Sequence, residues 1–236
     1  MGSDWCRLDE EKLPLHVAFI PDGNRRWARR RGLPEWAGHA RGYEAAREAL
    51  NRLWAIGVRY VTFYALSREN CLARPRGELE RIYSLLSGAV DELLSDRRVR
   101  EGRVRLFFAG DFSLLPGWLR EKMVQANEAT RGNGPDVLTV ATCYSGAWEI
   151  EEAVRRAARE GCGGGCDARS LLPLGWLPEP DLLVRTGGEL RLSGFLLPHL
   201  SYTELYFTHT LWPDFGPGEL CAALRDYQRR QRRFGR

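Results

Sequence analysis

The chain's most informative chemistry follows one short apolar run. Residues 181–184 end in Arg185, and Thr186, Gly187, Gly188, Glu189, Arg191 and Ser193 follow in a polar loop. Two guanidiniums, a hydroxyl and glycines that admit close backbone approach suit a doubly charged phosphate group. Glu204, inside the next apolar segment, is the kind of carboxylate that a bridging Mg²⁺ needs. Taken singly, each of these residues reads as part of an ordinary polar loop. A second polar cluster, Asp22-Gly23-Asn24 with Arg25 and Arg26, follows another apolar run at the start of an expected helix. Free N–H groups there could hold phosphate oxygens. Asp22 could meet a phosphate only through a cation, and its ordinary alternative is a helix N-cap.

The elements that must position these residues alternate along the chain. Residues 15–20, 58–66, 103–109, 137–142, 181–184 and 204–207 read as strands, and 15–20 is continuously apolar, as in a buried parallel strand. Helical spacing marks 38–56, 77–95, 116–130, 147–160 and 218–230. Alternation of this kind predicts an α/β fold, one domain over residues 1–236 with a mostly parallel sheet flanked by helices. Ligands bind beyond the carboxyl ends of such strands, where Asp22, Ser67 and Arg185 all stand.

With 236 residues the chain can bury a sizeable core. No apolar run approaches the ~20 residues of a membrane span, and the acidic N-terminus lacks the apolar core of a signal peptide. A cytoplasmic location is expected, with contact at a membrane surface allowed. The net charge of +4 is too small to argue for nucleic acid, and the arginines of 225–236 read as a solvated helix face. Six cysteines without a CxxC spacing argue against zinc. Free cytosolic thiols are expected, with a pairing of Cys162 and Cys166 within their loop as the alternative.

Three blocks together go further. His16 to Gly42 (HVAFIPDGNRRWARRRGLPEWAGHARG), Tyr64 to Glu78 (YALSRENCLARPRGE) and Pro180 to Phe215 resemble, in order, the signatures of the cis-prenyltransferases, the undecaprenyl diphosphate synthase family. The resemblance implies a six-stranded parallel sheet in a homodimer. It also implies a Mg²⁺-dependent condensation of isopentenyl diphosphate with an allylic prenyl diphosphate, a C15 or C20 primer, giving a polyprenyl diphosphate. By the same resemblance Asp22 and Glu204 hold the metal, and Asp22, Asn24, His39, Ser67 and Asn70 are catalytic. Arg185, Arg191 and Ser193 match positions that bind isopentenyl diphosphate, and His39 the histidine near the leaving diphosphate. Gly23, Asn24, Arg25, Arg26, Trp27, Ser67, Arg68, Glu69, Asn70 and Arg74 complete the substrate-binding blocks. Arg233 and Gly235 match a tail that reaches the partner subunit's site. Trp27 has packing as its ordinary role, and Ser67 and Asn70 otherwise look like turn residues. The apolar stripe of 77–95, with Tyr83, is the expected wall of a tunnel for the product chain.

Several positions depart from the pattern. Glu35 stands where bacterial members carry an arginine for the allylic diphosphate, with Arg25, Arg29, Arg30 and Arg31 as possible replacements. Cys71, Gly194 and Pro198 replace common residues, one extra residue separates Asn70 from Arg74, and the first block is spelled more like archaeal members. Among rival readings, a non-catalytic partner subunit would lack Asp22, Asn24 and His39. A nucleotide-dependent enzyme would want a Gly-Lys phosphate loop, but Lys12 and Lys122 each follow a glutamate. No nucleic-acid motif is present, nor the Asp-Asp-x-x-Asp motif of trans-type synthases.

Overall fold

The computed structural model describes residues 5–162 and 165–230. Six strands form one all-parallel sheet: β1 (His16–Ile20), β2 (Tyr60–Ser67), β3 (Val104–Ala109), β4 (Asp136–Tyr144), β5 (Leu182–Arg185) and β6 (Glu204–Phe207), in the order β3-β4-β2-β1-β5-β6. The helices are α1 (Asn24–Arg30), α2 (Glu35–Ala55), α3 (Arg68–Ala73), α4 (Arg76–Ser95), α5 (Arg97–Arg100), α6 (Gly117–Ala129), α7 (Gly146–Arg159), α8 (Ala168–Leu171) and α9 (Pro217–Arg229). The six expected strands and five long helices are all present, to within a few residues at their ends. The short helices α3, α5 and α8 went unread, because four to six residues are too few to display a 3.6-residue period.

Burial on both faces explains the unbroken apolar strands. Along β1, Val17 and Phe19 join the core under α2, α4 and α9, whereas Ala18 and Ile20 join a second core with Tyr64, Leu183 and Phe195. Phe19 stacks on Phe63 with ring centroids 5.0 Å apart, and the two residues are register partners of β1 and β2. β1 lies between β2 and β5, and the chain builds outward from it on both sides. That arrangement gathers the loops after β1, β2 and β5 at one end of the sheet, where ligands bind in folds of this kind.

The cysteines require a correction. All six are paired, Cys6 with Cys221, Cys71 with Cys143 and Cys162 with Cys166, at Cα separations of 5.5, 5.6 and 5.7 Å. The expectation of free thiols rested on a reducing cytosol, and partners 215 and 72 residues apart become neighbours only when the sheet forms. Among the described residues no helix is long and apolar enough to cross a membrane.

Candidate active site

The first cluster is built on the ends of β1 and β5. Ile20 pairs with Arg185 in the register, which brings the following Asp22 beside the guanidinium. The Asp22 backbone is fixed from both sides. Its N–H donates to Thr186 Oγ1 at 2.9 Å, and its carbonyl accepts from Thr186 Oγ1 at 2.8 Å and from the Trp212 N–H at 3.0 Å. Its carboxylate bridges two cations, accepting from Arg26 Nη2 at 3.1 Å and Arg185 Nη2 at 2.9 Å. Arg26 also donates to the Gly187 carbonyl at 2.7 Å. A Cβ at Gly187 would come within 2.5 Å of the Arg26 guanidinium, and φ there is +86°, so this turn needs glycine.

Arg185 is the buried member, with a side chain only 4% exposed. It donates to Ser193 Oγ at 3.0 Å and to the Arg191 carbonyl, so it shapes the loop that carries both residues. Arg191 itself points outward and pairs with Glu189 at 2.5 Å. The Tyr64 hydroxyl lies 2.9 Å from the Tyr144 carbonyl and 3.2 Å from that of Ser193, clamping the same loop onto β2 and β4. Sequence reasoning missed Tyr64. The signal was a hydroxyl in a buried strand, which must find a partner.

The second cluster lies where α1 crosses α2. Gly38 and Gly42 allow the crossing, because a Cβ at either would sit 2.1–2.2 Å from Asn24 oxygens. Glu78 accepts from Arg74 at 2.6 Å, with His39 Nε2 at 3.8 Å and Arg25 Nε at 3.9 Å. Glu35 accepts from Arg25 at 2.7 Å and from Arg29 at 2.9 Å. It therefore occupies two of the arginines expected to replace the missing one, and its hydrogen bond from Arg25 holds its carboxyl below the usual range. Burial, reinforced by the Arg74 charge, pushes the His39 pKa down, so its imidazole is neutral near pH 7. Burial lowers the Arg74 pKa as well, against the opposing pull of Glu78.

Several buried polar atoms here have no partner. They are Asn24 Oδ1, His39 Nε2, Arg74 Nε and, in the first cluster, Arg185 Nε. Buried polar groups are nearly always satisfied, so a concentration of exceptions marks a place where a ligand supplies the missing bonds.

Ser67 ends β2 and caps α3, its Oγ accepting from the Asn70 N–H at 3.1 Å. Arg68 donates to Asp111 at 3.0 Å, which anchors the start of α3, and Glu69 lies close enough to Tyr64 to bear on its hydroxyl. Trp27 donates to Asp214 at 2.7 Å and lies under the Arg31 guanidinium at 4.3 Å, a packing role. Glu204 stands elsewhere. It begins β6, register partner of Leu182, and accepts from Arg230 at 2.8 Å, whereas Asp22 lies beyond the opposite ends of the strands. The expected sharing of one metal by Asp22 and Glu204 does not occur within a chain, because three residues of parallel strand separate their levels by about 10 Å. Arg233 and Gly235 lie outside the described residues.

Between α2, α4 and the sheet runs a cavity of about 890 Å³. Its mouth is formed by Pro21, Asn24 and His39, and its walls by Leu50, Phe63, Ile82, Leu86, Ala89 and Val140 among others. Ile82, Leu86, Ala89 and Leu93 of the α4 stripe thus line it, whereas Tyr83 and Val90 are buried in the core and Leu79 packs against that core. An apolar passage opening between two arginine-rich clusters suits a molecule with a diphosphate head and a hydrocarbon tail.

Known proteins agree with this chemistry. Residues 20–235 match the family model described as "Putative undecaprenyl diphosphate synthase". An isoprenyl transferase of Chromobacterium violaceum is 42% identical over 100% of this chain and 93% of its own length. A geranylgeranyl-diphosphate-specific tritrans,polycis-undecaprenyl-diphosphate synthase of Methanopyrus kandleri is 40% identical over 98% and 88%. The crystal structure of lavandulyl diphosphate synthase from Lavandula x intermedia, in complex with dimethylallyl diphosphate, superposes with a TM-score of 0.87 at 32% identity, over 96% of this chain and 100% of that one. The chain belongs to the undecaprenyl diphosphate synthase family and is a cis-prenyltransferase.

Proposed function

We propose that the chain elongates an allylic prenyl diphosphate with isopentenyl diphosphate. The C4 of isopentenyl diphosphate bonds to the allylic C1, inorganic diphosphate leaves, and a proton is lost from C2 to give a cis double bond. The observation that carries this reading is the Asp22 carboxylate, bridging Arg26 and Arg185 beside the mouth of an apolar cavity.

In this reading the first cluster receives isopentenyl diphosphate on Arg185, Arg191 and Ser193. Arg185 is already oriented by its bonds to Ser193 and the Arg191 carbonyl, so little ordering remains to be done on binding. Asn24, Arg25, His39 and Arg74 face the departing diphosphate of the primer. Donors placed before ionisation lower its barrier, since negative charge grows on the leaving oxygens. Neutral His39, whose Nε2 has no partner, offers an N–H there in the tautomer protonated at that nitrogen. Ser67 and Asn70, at the start of α3, are assigned to positioning and proton loss.

The residues fit Mg²⁺ held mainly by substrate. Among the described residues no group of three His, Cys, Asp or Glu could hold a metal, and Asp22 is the carboxylate at the junction of both clusters. Mg²⁺ commonly takes one or two carboxylates and completes its shell with phosphate oxygens and water. Bound there, it would neutralise charge developing on the diphosphate. Asp22 would have to turn from its two arginines toward the cation, leaving both guanidiniums free for phosphate.

The homodimer is likewise proposed. β6 is an edge strand with partly exposed residues, and a partner there could reach Glu204 and receive Arg233 and Gly235. We read the location as cytoplasmic with peripheral membrane contact for product release. Three disulfides accord with a cytosol that tolerates them, as in hyperthermophiles, rather than with a strongly reducing one. The reading calls for no nucleic acid.

Radiolabelled isopentenyl diphosphate supplied with C10, C15 and C20 primers, with and without EDTA, tests the proposal. Extractable polyprenyl products that vanish with EDTA are expected. No incorporation with any primer would overturn it.

A further inference from the structure

The far end of the cavity differs from its mouth. From His39, beside Asn24, α2 continues to Ala55, about 24 Å at 1.5 Å per residue. At that far end the lining includes Arg52, Ala55 and Ile56 from the end of α2, Leu93 and Asp96 from the end of α4, Arg98 of α5, and Trp5. Trp5 belongs to none of the surrounding helices. It arrives from the N-terminal segment, packs against the core, and lies under the Arg52 guanidinium at 5.2 Å from its ring centroid.

That segment is firmly tied down. Cys6, the next residue, is bonded to Cys221 of α9. Gln228 of the same helix donates to the Asp9 carbonyl at 2.7 Å and accepts from the Asp9 N–H at 3.1 Å, and Arg225 donates to the Arg7 carbonyl at 3.4 Å. An indole is therefore held across the end of the cavity by a covalent bond to a helix that does not itself line the cavity. Trp5 itself is only partly buried, at the edge of the core it packs against.

We propose that Trp5, fixed by the Cys6–Cys221 disulfide, is the stop that sets product length in this chain. The inference rests on the reading that the cavity holds the growing hydrocarbon. Each added unit pushes the tail toward the far end, where a rigid, anchored ring stops it. Further condensation would then need either displacement of the indole or a tail folded back on itself. A unit that finds no room leaves its methylenes in water and forfeits the burial that favoured the earlier additions.

The test is the chain-length distribution of products from one primer, read by chromatography at matched turnover. Trp5→Ala should move the distribution to longer products by at least one isoprene unit. Trp5→Leu, which keeps an apolar contact with the core, should move it less and guards against misfolding of the first variant. Cys221→Ser should broaden the distribution toward longer products, because the ring remains but its anchor is gone. An unchanged distribution in Trp5→Ala and Trp5→Leu overturns the assignment of Trp5, and an unchanged one in Cys221→Ser overturns the anchor. Ala89→Trp, inside the cavity, separates this from the underlying reading. Shorter products there with no effect at Trp5 reject the stop alone. No effect at either position rejects the cavity as the chain's site.

Discussion

The two arginine clusters at the carboxyl end of the sheet are built differently. In the first, around Arg185, the guanidinium groups are satisfied at several points by Asp22, Ser193 and backbone carbonyls, with Arg185 Nε left unmet, and the geometry is set before any ligand arrives. In the second, around His39 and Arg74, carboxylates are also present, but buried nitrogens remain without partners and burial weakens the basicity of both residues. The first cluster spends its structure on orientation. The second keeps unmet hydrogen-bonding capacity in a poorly solvated place, where an arriving anion gains most. The contrast suits a pair of diphosphates with different fates, one retained on the product and one expelled.

The largest expected effect breaks the junction between the clusters. Asp22→Asn should lower turnover by two orders of magnitude or more, with Mg²⁺ titration failing to restore it, because the amide cannot neutralise a cation. The structure adds a cost in stability, since Arg185 is buried and loses its charged partner, and breaking such pairs commonly costs 3–5 kcal/mol or roughly that. Asp22 is itself partly exposed, so a loss nearer the lower end is expected in thermal unfolding. Wild-type turnover in Asp22→Asn would break the comparison at its centre.

Arg191→Ala sharpens the first cluster. Arg191 is the exposed member, its guanidinium paired with Glu189 among the described residues, so the substitution should leave the melting temperature nearly unchanged. The KM for isopentenyl diphosphate should rise roughly tenfold to a hundredfold, the loss of one charge-assisted contact of ~1.5–3 kcal/mol. Primer affinity should stay near wild type. A rise in primer KM instead would assign the two clusters the other way round.

Glu35→Gln addresses the second cluster from the opposite direction. Removing the carboxylate frees Arg25 and Arg29, and affinity for the allylic primer should improve by a few-fold. Weaker primer binding would mean that Glu35 serves to orient Arg25 and not merely to occupy it.

The smallest effect is a proton. In the free protein His39 should titrate below the ordinary histidine value, because burial and Arg74 oppose its charge. Its pKa is depressed on folding, so the stability linked to it is complete above the unfolded value near 6.5 and declines as pH falls through the lower folded value. Inorganic diphosphate bound beside it should raise that pKa by favouring the imidazolium. An NMR titration of His39 with and without diphosphate checks this, and identical curves would remove His39 from the diphosphate's neighbourhood.

Much of the scaffold was legible because each strand of this sheet is buried on two faces or ends in a polar turn. The unbroken run of β1 and the abrupt halt of β5 at Arg185 are direct consequences. α3 was not legible. Its six residues show no period, and Ser67 and Asn70 look like turn residues because one caps the helix and the other lies in its first turns. Glu35 was legible as an added carboxylate, but its two arginine partners depend on how the loop after α1 returns.

The sequence by itself determined the parallel α/β order, the chemistry of the three polar blocks and the membership they imply, since these depend on residue type and local spacing. Tertiary structure alone decided which charges pair and which remain unmet, that Glu204 lies at the other end of the strands from Asp22, and that Cys6 meets Cys221 and Cys71 meets Cys143. It also decided that Trp5 lines the same cavity as Asn24 and His39. The physical reason is separation along the chain. Periodicity and capping act over a few residues, whereas ion pairs, disulfides and cavity walls join segments up to 215 residues apart, and only the packed sheet sets those distances.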